Sequence, residues 1–218
     1  VLFCANYYCM GRIVLLVFII TYGLSCSQSA NKKELPGAVM DKIKTEAKEW
    51  VTDFCEFKST EFNLTDTFRI RSRPDTTTAT ELDSFYAIYK PLIRFSPDGR
   101  FFADLYSYQL NLEREGDHFV ATPEIDQQVE LFDTKENTTY SLVYGGTENW
   151  IDEALWLDNN SLILAGIRKD SLANRHPVIY FVDTNTGLIQ EFSCSDEKCI
   201  QKSRYSSPGL SRLKITGL

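Results

Sequence analysis

The chain has 218 residues, of which 43% are hydrophobic and 13% aromatic. That is ample for one packed domain and thin for two. Thirty acidic residues against 23 basic ones give a net charge of −7, and with no basic cluster this argues against nucleic acid and anionic lipid headgroups as partners. Two histidines are few for a metal site or for general-base chemistry, and composition assigns no catalytic residue, no metal and no cofactor.

Val1 is not a methionine, and Met10 reads as the natural start, with residues 1–9 as extra sequence. Arg12 supplies a positive flank, residues 13–20 are unbroken apolar sequence, and a polar stretch begins at Ser27. This is the grammar of a signal peptide, residues 1–25. Its apolar core is too short for a spanning helix, which needs about 20 apolar residues, although including Tyr22 and Leu24 stretches it and leaves a membrane anchor as the alternative. The end of the run, Gly23-Leu24-Ser25-Cys26, resembles a bacterial lipobox, with Leu24 one place later than the usual pattern. The resemblance implies that Cys26 carries acyl chains on its sulfur and its new amino group. Cys26 would then be the first mature residue and hold the protein to a lipid bilayer. Ser27 behind it implies the outer membrane of a bacterial cell envelope. The alternative is an ordinary signal peptide with Cys26 incidental. Residues 26–37 read as a lipidated tether.

Val39, Ile43, Ala47, Trp50 and Phe54 recur at three- and four-residue spacing and predict one amphipathic helix over 38–55, with Cys55 at its end as a small buried hydrophobe. Residues 61–71 alternate and predict one or two edge strands. Residues 73–80 predict a loop, and residues 85–89 a strand.

Two similar modules follow, about 85–145 and 150–193. In the first, two apolar runs flank Ser96-Pro97-Asp98-Gly99, where Pro97 fixes φ and Gly99 supplies positive φ. A second hairpin turns at Lys135-Glu136-Asn137. In the second module the corresponding turns are Asp158-Asn159-Asn160 and Asp183-Thr184-Asn185-Thr186-Gly187. Phe95-Ser96-Pro97-Asp98-Gly99-Arg100 resembles the start of a blade in β-propellers of the WD-repeat or Tol type, and residues 180–187 resemble the outer hairpin of such a blade. The resemblance covers residues 92–192, and the whole chain resembles small propeller-like lipoproteins of Gram-negative anaerobes. A closed propeller has four to eight blades, and this chain has two. The expectation is therefore a mainly β protein in which residues 38–218 form a single domain. It would hold two antiparallel propeller-blade-like sheets side by side, with the N-terminal amphipathic helix capping one end.

Candidate sites follow from these placements. Cys194 and Cys199 are five apart and suit a small disulfide loop in an oxidising compartment; free thiols or a metal are the alternatives. Tyr106, Tyr108 and Trp150, with Tyr144 and Trp156, suggest an aromatic platform for a sugar or peptide, against a reading as core. Trp150 follows a glycine-rich turn and is expected to be the most exposed. Asp152, Glu153, Glu124 and Asp126 offer carboxylates for glycoside hydrolysis. Adjacent strand residues face opposite ways, however, which predicts that Asp152 and Glu153 do not pair. Asp75-Thr76-Thr77 and Asp170-Ser171-Leu172 resemble O-glycosylation sites. The expected function is a lipid-anchored, non-catalytic binding or scaffolding module with an envelope protein or a saccharide as partner. The alternative is a carbohydrate- or peptide-active envelope enzyme.

Overall fold

The computed structural model describes residues 33–74, 79–194 and 196–217; residues 1–32, including Cys26, and Asp75-Thr76-Thr77 lie outside the described residues. The structure is 46% strand and 17% helix, with two antiparallel sheets side by side. The first module supplies β3 (Arg94–Phe95), β4 (Phe101–Asp104), β7 (Gln127–Asp133) and β8 (Thr138–Gly145). The second supplies β9 (Asn149–Trp156), β10 (Ser161–Lys169), β11 (Arg175–Asp183) and β12 (Leu188–Cys194). Both are up-and-down meanders. Residues 62–74, upstream of both, run along the outer edge of each in turn. β1 (Phe62–Arg69) joins β12 and β2 (Arg71–Pro74) joins β8, so the strand orders are β1-β12-β11-β10-β9 and β2-β8-β7-β4-β3.

The duplication read from sequence is also a duplication of hydrogen bonds. Asp133 and Asp183 each turn their Oδ1 onto the backbone N–H groups two and three residues later, 2.9 and 3.1 Å in the first module and 2.9 and 3.3 Å in the second. The next residue, Thr134 or Thr184, donates its backbone N–H to the carbonyl of Arg100 or Asn160, 2.9 Å in both cases. Each outer hairpin is thereby tied to the inner hairpin of its own module. The Ser96–Gly99 turn forms as expected, with Gly99 at φ 72° and the Ser96 hydroxyl donating to Asp98 at 2.7 Å.

Sequence and structure part in four places. The helix expected over 38–55 is two, α1 (Gly37–Glu46) and α2 (Lys48–Thr52), broken at Ala47; its stripe of Val39, Ile43, Ala47, Trp50 and Phe54 is buried as expected, whereas Cys55 is exposed. The expected tether ends earlier, because Leu35 is buried and Glu34 bridges to Asn63. The strand expected at 85–89 is a helix, α3 (Ala79–Tyr89), and the loop expected at 73–80 is cut at both ends by β2 and α3. Leu82, Phe85, Tyr86 and Tyr89 recur at helical spacing and pack on the first sheet, with Phe85 stacked on Phe102 at 5.9 Å. Finally, a third sheet is present. β5 (Leu110–Glu115) and β6 (His118–Pro123) form a hairpin inserted between β4 and β7. β13 (Ile215–Thr216) pairs with β6 in parallel.

Two apolar clusters hold these layers. One fills the space between the sheets and under α3; in it Phe101 of the first sheet stacks on Trp156 of the second at 6.2 Å. The other lies between α1–α2 and the opposite face of the second sheet, with Ile43, Trp50, Leu155, Ile163 and Phe192. The second sheet is apolar on both faces because it is covered on both.

Candidate functional site

The site is built on β9, the free edge of the second sheet. Its register with β10 slips by one residue: Glu153 stands opposite Ala165, but Ile151 stands opposite Gly166. Asp152 is the extra residue of a β-bulge. The slip explains an apolar pattern that plain alternation cannot, since Ile151, Ala154 and Trp156 all enter the cluster between the sheets. It also corrects the expectation that Asp152 and Glu153 face opposite ways. Both carboxylates are engaged from the helix side and the C-terminal segment. Trp50 Nε1 of α2 donates to Asp152 Oδ2 at 2.9 Å, and the Tyr205 hydroxyl donates to Glu153 Oε1 at 2.8 Å.

Burial pushes the Asp152 carboxyl up to about 7, with the Glu153 and Asp53 carboxylates adding to the shift and the Trp50 donor and Arg175 opposing it. Tyr205 is pushed up by burial and then by the Glu153 charge.

Glu153 and the three residues after it line a groove of about 960 Å³. Its walls are α1 and α2, the β3 edge of the first sheet and residues 205–213, which include α4 (Pro208–Ser211). Arg94, Phe95, Trp156 and Arg212 face it. The indole of Trp156 donates to the Arg94 carbonyl at 2.9 Å and fastens the two sheet edges together along the floor. The first half of the β9 edge is closed by a side chain. Gln127, fully buried, accepts from Ile151 N at 2.7 Å and donates to Ile151 O at 2.9 Å, so its amide occupies the place of a neighbouring strand.

The aromatic platform does not assemble. Tyr106 is buried and donates to the Asp152 carbonyl at 3.3 Å. Trp150 lies within β9 rather than on a loop and is half-buried against the cluster under α1–α2, because the strand begins at Asn149. Tyr108 is exposed, edge-on to Tyr144 at 6.4 Å. The Tyr144 hydroxyl donates to Asp126 at 2.5 Å and is pushed up to about 12 by that bond. Asp126 is thus held by Tyr144 and Glu124 is exposed, while Asp152 is held by Trp50 of α2 and Glu153 by Tyr205.

Cys194 and Cys199 come together at the end of β12 as free thiols. The Cys199 thiol donates toward the Cys194 sulfur, which lowers Cys194 and raises Cys199. Asp170 is a turn residue, held at about 2 chiefly by the Asn174 side chain. Among the described residues no group of three His, Cys, Asp or Glu side chains could hold a metal ion, and no helix is long and apolar enough to cross a membrane.

Sequence reasoning missed Trp50, Arg94, Gln127, Tyr205 and Arg212 as parts of this site. The available signal was the phase slip in Trp150-Ile151-Asp152-Glu153-Ala154-Leu155-Trp156, which places two aliphatic residues on one face at an odd separation. No protein-family model, curated protein or solved structure matches the chain.

Proposed function

We propose that the chain is a lipid-anchored protein of the cell envelope that binds or scaffolds without catalysis, and that the groove over β9 is its binding site. The observation that carries this reading is the groove itself, some 960 Å³ of space where the free edges of two propeller-blade-like sheets meet. In a propeller, blades surround a central channel, and β3 and β9 hold the first, inner place in each meander. The anchor rests on Arg12, the apolar run 13–20 and Cys26.

A second reading, a hydrolase, is favoured by the bulge, which turns two adjacent carboxylates to one side with Asp152 raised to about 7. Against it, Asp152 is engaged by Trp50 and Glu153 by Tyr205, and of the two only Glu153 lines the groove.

Fractionation of the native protein and the Cys26→Ser variant tests the first reading. The native chain should pellet with membranes and incorporate labelled palmitate, and the variant should do neither. A native chain recovered in the soluble fraction contradicts it. Hydrolysis of a polysaccharide or peptide panel that disappears in Glu153→Gln establishes the second reading instead.

A further inference from the structure

We infer that Cys194 and Cys199 form a reversible dithiol site, in which Cys194 attacks a low-molecular-weight disulfide and Cys199 resolves the product by closing a bridge within the chain. The site is separate from the groove, and the inference goes beyond the reading of the protein as a binding module.

The backbone holds the two sulfurs together before any reaction. Cys194 ends β12, opposite Phe62 of β1. The chain then turns back: Cys199 N donates to the Asp196 carbonyl at 3.0 Å, and Lys198 N donates to Asp196 Oδ1 at 2.8 Å. Beyond the turn, Cys55 N donates to the Ile200 carbonyl at 3.0 Å, Gln201 N to the Arg175 carbonyl at 2.9 Å and Lys202 N to the Asp53 carbonyl at 2.7 Å. Cys199 is therefore fixed from both sides, and its thiol donates toward the Cys194 sulfur. Two groups already in contact join without a search through chain conformations.

Two asymmetries assign the roles. Cys199 is 1% exposed within the cluster under α1–α2, whereas Cys194 is half-buried and packs against that cluster. An external disulfide therefore meets Cys194 first, and a half-buried sulfur favours a small one. The second asymmetry is acidity. The bond from Cys199 lowers the Cys194 thiol, against its partial burial and the nearby Asp196 and Glu61 carboxylates. The same bond, with burial, raises Cys199. The thiolate is the nucleophile, so exchange starts at Cys194. An accessible, lowered thiol beside a second that resolves it is the arrangement of redox-active cysteines.

The exchange balances in two steps. The Cys194 thiolate attacks one sulfur of R–S–S–R, forming Cys194–S–S–R and releasing RS⁻. That RS⁻ takes the Cys199 proton, and the Cys199 sulfur attacks Cys194 Sγ. The bond to R breaks, and the second RS⁻ leaves with the proton that Cys194 lost on ionising. The chain is oxidised by two electrons and the disulfide is reduced to two thiols.

The test uses the full chain in detergent with exposed Cys55 replaced, Cys55→Ser, reduced and then freed of reductant. Oxidised glutathione should lower its mass by two hydrogens, peptide mapping should join Cys194 to Cys199, and excess reduced glutathione should reopen the bridge. With Cys199→Ala added, the reaction should stop at one glutathione on Cys194. With Cys194→Ala added, Cys199 should take up glutathione at least tenfold more slowly than Cys194 does. In the parent chain, alkylation should label Cys194 at least tenfold faster than Cys199. Should either alanine variant not fold, bridge closure and the alkylation rates in the parent chain decide. A pair that stays reduced in oxidised glutathione, a bridge that excess reduced glutathione does not reopen, glutathione carried on Cys199 in place of Cys194, or equal alkylation of the two thiols each overturns the inference.

Discussion

Trp156 and Trp150 show how far a single residue could be read. Alternation put Ala154 and Trp156 on one face of the strand and Leu155 on the other, both covered; Trp156 enters the cluster between the sheets and Leu155 the cluster under the helices. Trp156→Ala should cost about 3–5 kcal/mol, the range for a large buried aromatic, because it also removes the stacking on Phe101 and the bond to Arg94. An exposed loop residue, as the sequence predicts for Trp150, would cost under about 1 kcal/mol. Half-buried within β9, Trp150 should cost about 2 kcal/mol, near half the cost of a fully buried aromatic. Denaturant unfolding of the two variants ranks them; equal costs would refute this placement. Asp152 gives a prediction with a sign. The folded chain holds its carboxyl at about 7, against about 3.9 in the open chain. Between those values the folded state keeps a proton that the unfolded state has released, so stability is full below about pH 4 and falls as pH rises to about 7. Asp133 and Glu191 are lowered, against burial, by bonds from Arg100 and Arg168, and lose their contribution only as pH falls below about 4. Asp152→Asn keeps an acceptor for Trp50 and removes the titration. Its urea midpoint should be flatter than the native one from pH 4 to 7 and higher at pH 8; a parallel pair of curves would show that Asp152 titrates normally.

At the scale of elements, the hairpins were legible and the breaks were not. Turn chemistry is local: Pro97 and Gly99, or Asp183 and Gly187, announce themselves within four residues, and all the meander strands lie where those turns put them. The β9 bulge depends on what stands opposite. Gly166 accepts it because a Cβ there would lie 2.0 Å from the Trp150 carbonyl oxygen and 2.9 Å from Ile151 Cα. Gly166→Ala must therefore move backbone, and should cost about 3 kcal/mol, the upper end for overpacking. It should also return Asp152 to ordinary carboxylate behaviour, visible as a loss of the pH dependence between 4 and 7. A neutral Gly166→Ala would mean that the register slip is absent. The misread α3 has a different cause. Phe85, Tyr86 and Tyr89 are aromatics with good strand propensity, and only with Leu82 does the three-and-four spacing emerge. The break at Ala47 carries no residue-type signal, since alanine is the best helix former; there the backbone leaves helical dihedrals, at φ −114° and ψ 38°, while the side chain stays buried in the cluster against the second sheet.

For the molecule as a whole, two modules suffice because other parts of the chain cover what further repeats would have covered. Residues 62–74 close both outer edges, α1–α2 cover one outer face, and α3 covers the other. The C-terminal segment bonds Lys202 N to Asp53 O and Tyr205 to Glu153, and it walls the groove. What these parts leave between them is the groove along β9, and the functional account depends on that space. The most direct test is residue-resolved amide hydrogen exchange on the free protein. Glu153 and Leu155, turned toward β10, should be strongly protected, as should Ile151, bonded to Gln127. Ala154 and Trp156, buried but with their N–H groups turned away from β10, should exchange faster than these neighbours. Protection of Ala154 and Trp156 above that of Glu153 and Leu155 would mean that β9 pairs with β10 in the opposite phase, without the slip at Asp152, and would contradict the account.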